Sequence, residues 1–140
     1  MNLIFEVIKM QKTNYAFSKV VSYSYEKALE RVTEELKKEG FGVLTEIDVK
    51  ATMKKKLDVD FRPYKILGAC NPPLAYKALQ AEEQIGLMLP CNVIVLVNEA
   101  GETVVSAVDP MASMQAVANE SLGEVAAAVE EKLKKVIDAL

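Results

Sequence analysis

The chain has 140 residues, of which 51% are hydrophobic and 26% charged, and its formal net charge is −3. This length and composition predict a single domain over residues 1–140, with a core large enough to fold without a disulfide or a metal. The acidic balance argues against a nucleic-acid partner, and the absence of histidine excludes Ser–His and Cys–His nucleophile pairs and His-ligated zinc.

The sequence also argues against a membrane partner. No apolar stretch reaches the roughly 18 residues that span a bilayer. Residues 1–10 are apolar but contain Glu6 and lack a basic region and a cleavage site, so they do not form a signal peptide. Two cysteines without an export signal predict a cytoplasmic protein with reduced thiols.

The first half of the chain predicts a half-buried strand, a helix, a second strand and a short helix, over residues 15–23, 24–40, 42–49 and 50–57. Lys19 interrupts the apolar side of the first strand, which indicates a place near an edge or a lysine that reaches water. Ser24 is the predicted N-cap of the helix, and Gly40 ends it with Phe41 folding back on Leu36 in a Schellman motif. In the second strand, Val43, Thr45 and Ile47 are predicted to share one face.

The second half predicts a strand, a proline-led helix, a hairpin, a connecting segment and a long helix, over residues 64–70, 72–79, 93–108, 111–118 and 121–140. The most apolar strand, 93–97, is expected to be central, with the three-residue turn 99–101 closing the hairpin. Ser121 and Glu124 predict a capping box for the last helix. The hairpin and the scarcity of βαβ units favour an α+β fold.

Two short segments each pair a cysteine with an asparagine beside proline: Cys70-Asn71 and Cys91-Asn92. If their strands are antiparallel neighbours, the thiols meet at one end of the sheet, within about 6 Å between Cα atoms. A helix beginning near Pro72 would favour a thiolate at Cys70. The alternative is that both cysteines are small hydrophobic residues of the core, which is the commoner case for either alone.

Metal binding by these cysteines is a further alternative. Two thiols without histidine underfill a zinc site, whereas Met111 and Met114 would add soft donors suited to Cu(I). Methionines at such positions more often fill gaps in a core.

Two other groups of polar residues have both a chemical and a structural interpretation. Glu46 and Asp48 would provide paired carboxylates for acid–base work or a hard cation, or would line a solvated face with Asp48 capping the next helix. Arg62, Lys65 and Tyr76 would bind an anion, or are surface residues that pair with local carboxylates.

Three motifs in this order resemble an uncharacterised bacterial and archaeal family catalogued as domain of unknown function number 302. They are Glu39-Gly40-Phe41-Gly42-Val43-Leu44-Thr45-Glu46-Ile47-Asp48-Val49, Leu67-Gly68-Ala69-Cys70-Asn71-Pro72-Pro73-Leu74-Ala75 and Leu89-Pro90-Cys91-Asn92-Val93. The resemblance covers about residues 15–140, includes Val108-Asp109-Pro110, and leaves residues 1–12 as an N-terminal extension.

The resemblance implies a two-layer fold of the TATA-binding-protein-like class, β-α-β(4)-α, in which a curved antiparallel sheet grips the long C-terminal helix. It also implies a homodimer, and it implies no established activity. Many members of the family carry histidine where this chain has Tyr76, which weakens a metal or acid–base role for the cysteine segment.

The residues favour a small-ligand-binding or sensing module with Cys70, Asn71, Cys91 and Asn92 at its mouth. Asp48 and Tyr76 are further candidates for the site, and Cys70 with Cys91 for a metal. The alternatives are a thiol-dependent redox or soft-metal-handling protein and a dimeric structural module without a ligand. No catalytic constellation is recognised, so the sequence assigns no reaction and leaves any cofactor unknown. Strands with apolar residues on both faces support the homodimer, because one helix layer covers only one of them.

Overall fold

Six strands of the described chain form one antiparallel sheet, and the two longest helices pack on one of its faces, in a computed structural model that describes residues 9–140. The strands are β1 Gln11–Lys12, β2 Ala16–Val21, β3 Gly42–Asp48, β4 Tyr64–Cys70, β5 Cys91–Val97 and β6 Thr103–Val108. The helices are α1 Tyr25–Lys38, α2 Val49–Leu57, α3 Pro72–Ala81, α4 Pro110–Ser113 and α5 Leu122–Asp138, with 3₁₀ segments at Glu83–Met88 and Gln115–Val117. The α+β class with a long C-terminal helix is confirmed.

The strand order is β1-β2-β6-β5-β4-β3, with every neighbouring pair antiparallel. The predicted central position of β5 is confirmed: it lies between β6 and β4. β2 lies one strand from an edge, as Lys19 indicated. β3 is the strand at the other edge.

Helix α1 begins and ends as its sequence predicts. The Ser24 hydroxyl accepts a hydrogen bond from the N–H of Lys27 at 3.1 Å, and Gly40 adopts the left-handed conformation with φ +84°. The N–H of Phe41 then donates to the carbonyl of Leu36 at 2.9 Å, which is the long bond of a Schellman motif. The chain therefore turns directly from α1 into the edge strand β3.

The core lies between the sheet and helices α1 and α5. Helix α5 buries its apolar stripe: Leu122, Ala126, Val129, Leu133, Val136 and Ile137. The stripe meets the inner face of the sheet, where Phe17, Val93, Val95 and Val105 are fully buried. Most of the stabilisation of this helix therefore comes from burial rather than from its intrinsic propensity.

Two cations bind the end of α5. Lys19 donates to the carbonyls of Asp138 at 3.0 Å and Leu140 at 2.8 Å, and Arg31 donates to the carbonyl of Ala139 at 2.9 Å. The last carbonyls of a helix lack intrahelical partners and carry partial negative charge. Lys19 thus has a structural partner rather than open water, and it ties β2 to the end of α5.

The opposite face of the sheet, which we call the open face, is crossed by two rows of side chains on β2, β6, β5 and β4. In register these rows are Val20, Val104, Leu96 and Tyr64, and then Ser18, Ser106, Ile94 and Ile66. All eight residues are half-buried and none is charged. Within the second row, the Ser18 and Ser106 hydroxyls form a 2.6 Å hydrogen bond that joins β2 to β6.

Two turn predictions are wrong. Ser121 lies in the helical region at φ −63° without a side-chain cap, so the capping box with Glu124 does not form; the Asn119 side chain accepts the N–H of Ser121 instead, at 3.0 Å. The β5–β6 turn has five residues rather than three, because the Asn98 side chain accepts two backbone N–H groups inside it and closes a wider loop.

The last two residues of the predicted N-terminal extension, residues 1–12, belong to the sheet. Gln11 and Lys12 form β1, which pairs with β2 through Ser18 and Phe17. Residues 1–8 lie outside the described part of the chain. Within residues 9–140, no helix combines the length and the apolar character needed to cross a membrane.

We predict that Leu133→Ala lowers the free energy of unfolding by about 2–5 kcal/mol, because Leu133 is fully buried between α5 and the sheet. Urea unfolding measures the loss. Leu57→Ala is the matched control, since Leu57 is 66% exposed, and its change should stay within about 0.5 kcal/mol. Equal effects of the two substitutions would contradict the packing described for α5.

Candidate functional site

A cavity of about 300 Å³ lies at the end of the sheet where β4 ends and β5 begins, between helices α3 and α5. Fifteen residues line it: Phe41, Leu44, Ala69, Cys70, Asn71, Leu74, Ala75, Ala78, Leu79, Leu89, Pro90, Cys91, Met114, Val125 and Val129. None of them is charged, and Asn71 carries the single amide. The volume is at the lower end of the range found for small-molecule sites.

Asn71 joins the end of α1 to the start of α3. Its side chain donates to the carbonyl of Glu39 at 3.1 Å and accepts the N–H of Leu74 at 3.3 Å. Its backbone carbonyl accepts the N–H of Ala75 at 2.9 Å. Asn71 is only 8% exposed. Its amide, which is predicted to face a ligand, is instead engaged in hydrogen bonds with the backbone of the protein.

The first turn of α3 has no N–H group to offer an anion. Its first two residues are Pro72 and Pro73, which have no N–H, and the N–H of Leu74 is held by Asn71. The helix N-terminus was expected to favour a thiolate at Cys70. The donors that would stabilise a negative charge there are either absent or already engaged, so this expectation loses its structural basis.

The two cysteines lie on adjacent strands at the wall of the cavity. Cys91 pairs in register with Ala69, which makes Cys70 and Cys91 diagonal neighbours. Both thiols are free; Cys70 is half-buried and Cys91 is buried. Burial, reinforced by the neighbouring Cys70, raises the pKa of the Cys91 thiol to about 11. Cys91 is therefore a neutral thiol at physiological pH and a weak nucleophile.

Three sulfur atoms belong to residues of the cavity wall, because Met114 lines it together with both cysteines. Met111 is 43% exposed and lies outside the lining. In the part of the chain that the structure describes, no three His, Cys, Asp or Glu side chains converge to hold a metal. The residues that would hold a soft metal are thus Cys70, Cys91 and Met114, with Cys91 having to lose a tightly held proton.

Three predicted site residues lie outside the cavity. Asn92 is exposed and pairs in register with Gly68 on β4. Asp48 caps α2, accepting the N–H of Ala51 at 2.9 Å. Tyr76 is 64% exposed on α3. The structure therefore brings together Cys70, Asn71 and Cys91 and leaves the other three apart.

The remaining charged candidates have local partners. Lys65 lies 3.1 Å from the Glu46 carboxylate, and this hydrogen bond raises the pKa of Lys65. Arg62 donates to the carbonyl of Val97 at 3.1 Å. Neither side chain lines the cavity, so the interpretation as surface residues with local partners describes them better than anion binding does.

The apolar residues of the wall were missed by sequence reasoning, because apolar residues at such spacing read as ordinary core. Leu44 is the informative case. A β-bulge between Val43 and Thr45 shifts the register, so Val43 and Thr45 do not share a face as predicted. The shift leaves Leu44 68% exposed beside the cavity, where Leu79 of α3 is also 46% exposed. The mouth is therefore apolar as well.

Comparisons with known proteins show similarity to one protein family and to solved structures. A sequence model of the family described as "Domain of unknown function DUF302" matches residues 17–140. The crystal structure of the uncharacterized conserved protein DUF302 from Bacillus stearothermophilus is similar, with a TM-score of 0.82 and 32% sequence identity. The match covers 88% of this chain and 95% of that chain. No curated protein matches the chain significantly.

We predict that Asn71→Ala lowers the free energy of unfolding by about 1–3 kcal/mol, because it leaves the Glu39 carbonyl and the Leu74 N–H without their buried partner. Asn92→Ala is the matched control, since Asn92 is exposed, and should change stability by no more than about 0.5 kcal/mol. Urea unfolding distinguishes the two. If Asn71→Ala leaves the free energy of unfolding unchanged, the amide does not join the two helices.

We predict that iodoacetamide labels Cys70 but not Cys91 in the native protein at pH 7.5, because Cys70 is the more accessible thiol and Cys91 is protonated. Since the thiolate is the reacting form, labelling of Cys91 should rise as the pH approaches about 11. Cys70→Ser and Cys91→Ser assign each rate, and unfolded protein should label at both. Faster labelling of Cys91 than of Cys70 at pH 7.5 would contradict this description.

Proposed function

The chain belongs to the DUF302 family, and we propose that it is a small-ligand-binding module whose site is the cavity at the end of its sheet. The observation that carries the proposal is the cavity itself. Protein interiors are packed to crystal-like density with few voids larger than a water molecule, and unfilled apolar volume costs stability. A space of about 300 Å³ that opens past exposed leucines has the size and chemistry of a ligand site.

The same geometry supports thiol chemistry less well. A redox or nucleophilic role calls for an accessible, readily ionised thiol, whereas the pKa of Cys91 is raised to about 11. The first turn of α3 supplies no N–H group to activate Cys70. A cytoplasmic location is part of the proposal, since both cysteines are free and reducing compartments keep thiols in this state.

We also propose that the chain forms a homodimer through the open face of its sheet. The two rows of this face span four strands without a charged residue, and charge depletion is typical of the buried core of an interface. Helices α1 and α5 pack on the other face, so a second copy would supply the missing cover. A two-fold axis through the face would place the same rows against each other.

We predict that native mass spectrometry of the protein purified from its own host shows a bound small molecule. Ala75→Leu should remove that mass by filling the cavity, because Ala75 lies in its wall. Ala127→Leu, the same change at an exposed site on α5, should keep it. The absence of a bound mass from the wild type, or its equal retention by both variants, would contradict the proposed site.

We predict that sedimentation velocity at micromolar concentration shows a species of twice 15.4 kDa. Ile94→Lys should convert it to the 15.4 kDa monomer, because it buries an unpaired charge in the centre of the open face. Tyr76→Lys, at an exposed position on α3, should leave the dimer intact. A wild-type protein that sediments only at 15.4 kDa would contradict the dimer.

A further inference from the structure

We infer that the ligand of this cavity is an uncharged aliphatic molecule, such as a long-chain alcohol or ester, rather than an organic anion. The inference rests on the proposed function and deepens it. It follows from the aliphatic contacts that the cavity can make with a ligand and from the charges and free hydrogen-bonding groups that the cavity lacks.

The wall has no side chain that could balance the charge of an ionised ligand. No lysine, arginine, aspartate or glutamate is among its residues. A carboxylate or phosphate moved into such a space would lose its hydration without gaining a counter-charge, which costs several kcal/mol. The ionised group of an amphiphile would therefore have to stay in the solvent.

The wall also has few free hydrogen-bonding groups. Both ends of the Asn71 amide are used, one by the Glu39 carbonyl and the other by the Leu74 N–H. Pro72 and Pro73 remove two of the donors with which a helix N-terminus usually holds an anion. A polar head group would find few free partners here, so polar recognition inside the cavity is poor.

The Cys91 thiol adds no charge to the wall. Cys91 is buried and stays protonated at physiological pH, since its pKa is raised to about 11. A protonated thiol packs as a small, polarisable hydrophobic group. Together with Met114, it adds soft apolar surface to the wall rather than charge.

The mouth offers aliphatic contacts. Leu44 on the bulge of β3 and Leu79 on α3 are 68% and 46% exposed, although both belong to the lining. Phe41 is the one aromatic residue of the lining, and it is 4% exposed. A flat aromatic ligand would thus find little stacking surface, whereas a flexible chain could cover both leucines and continue inward.

The test is competition against a neutral environment-sensitive dye, Nile red, with 1-decanol and decanoate as matched competitors at pH 7.5. We expect 1-decanol to displace the dye at a concentration at least about tenfold lower than decanoate does. Equal or stronger displacement by decanoate overturns the inferred class but leaves the proposed site standing. If neither competitor displaces the dye while native mass spectrometry shows a bound mass, the aliphatic class is wrong; if no mass is bound either, the proposed function fails.

A charge placed at the mouth gives a second, independent readout. Leu79→Lys should reverse the preference, so that decanoate binds more tightly and 1-decanol more weakly. The half-exposed position tolerates a lysine, and its ammonium group would lie close to the carboxylate. Leu57→Lys, at a 66% exposed position outside the lining, should leave the preference unchanged. If both lysine variants behave like the wild type, the ligand does not pass the mouth defined by Leu79 and the inference is overturned.

Discussion

Burial of the apolar stripe of α5 against one face of the sheet is the constraint from which the rest of the architecture follows. Leu133 and Ile137 in this stripe are completely buried, and α5 contacts β2 and β6 of the sheet. Lys19 and Arg31 fix the C-terminal end of the helix through its last carbonyls. Because helices occupy that face, the open face is left with apolar side chains that α1 and α5 do not cover.

The cavity arises where this helix layer meets the end of the sheet. α3 follows β4 immediately, and the Asn71 junction holds its first turn against the end of α1. The first half of α5 passes on the other side, through Val125 and Val129. Small side chains face the gap, notably Ala69 on β4 and Ala78 on α3. The junction thus fixes the backbone around the space, and the side chains that line it are too short to fill it.

Much of the fold could be predicted from the sequence, because local signals and burial agree. The Ser24 cap, the Gly40 stop and the strand 64–70 appear where the pattern places them, since each rests on neighbouring residues. The capping box at Ser121 failed because Asn119 competes for the same N-terminal backbone. The prediction that Val43 and Thr45 share a face was wrong because β3 contains a bulge. A bulge is a property of strand pairing, and the sequence of one strand does not reveal it.

The site was less predictable, and Asn71 shows why. A polar residue between a cysteine and two prolines reads as functional, yet its amide caps one helix and binds the end of another, 32 residues earlier in the chain. The residues that define the cavity are aliphatic, and nothing in one sequence separates an alanine that packs from an alanine that leaves space. The motif around Cys70 and Cys91 lies at the cavity for a different reason. It carries the turn chemistry that starts α3 and β5, and the cavity lies where those two elements diverge.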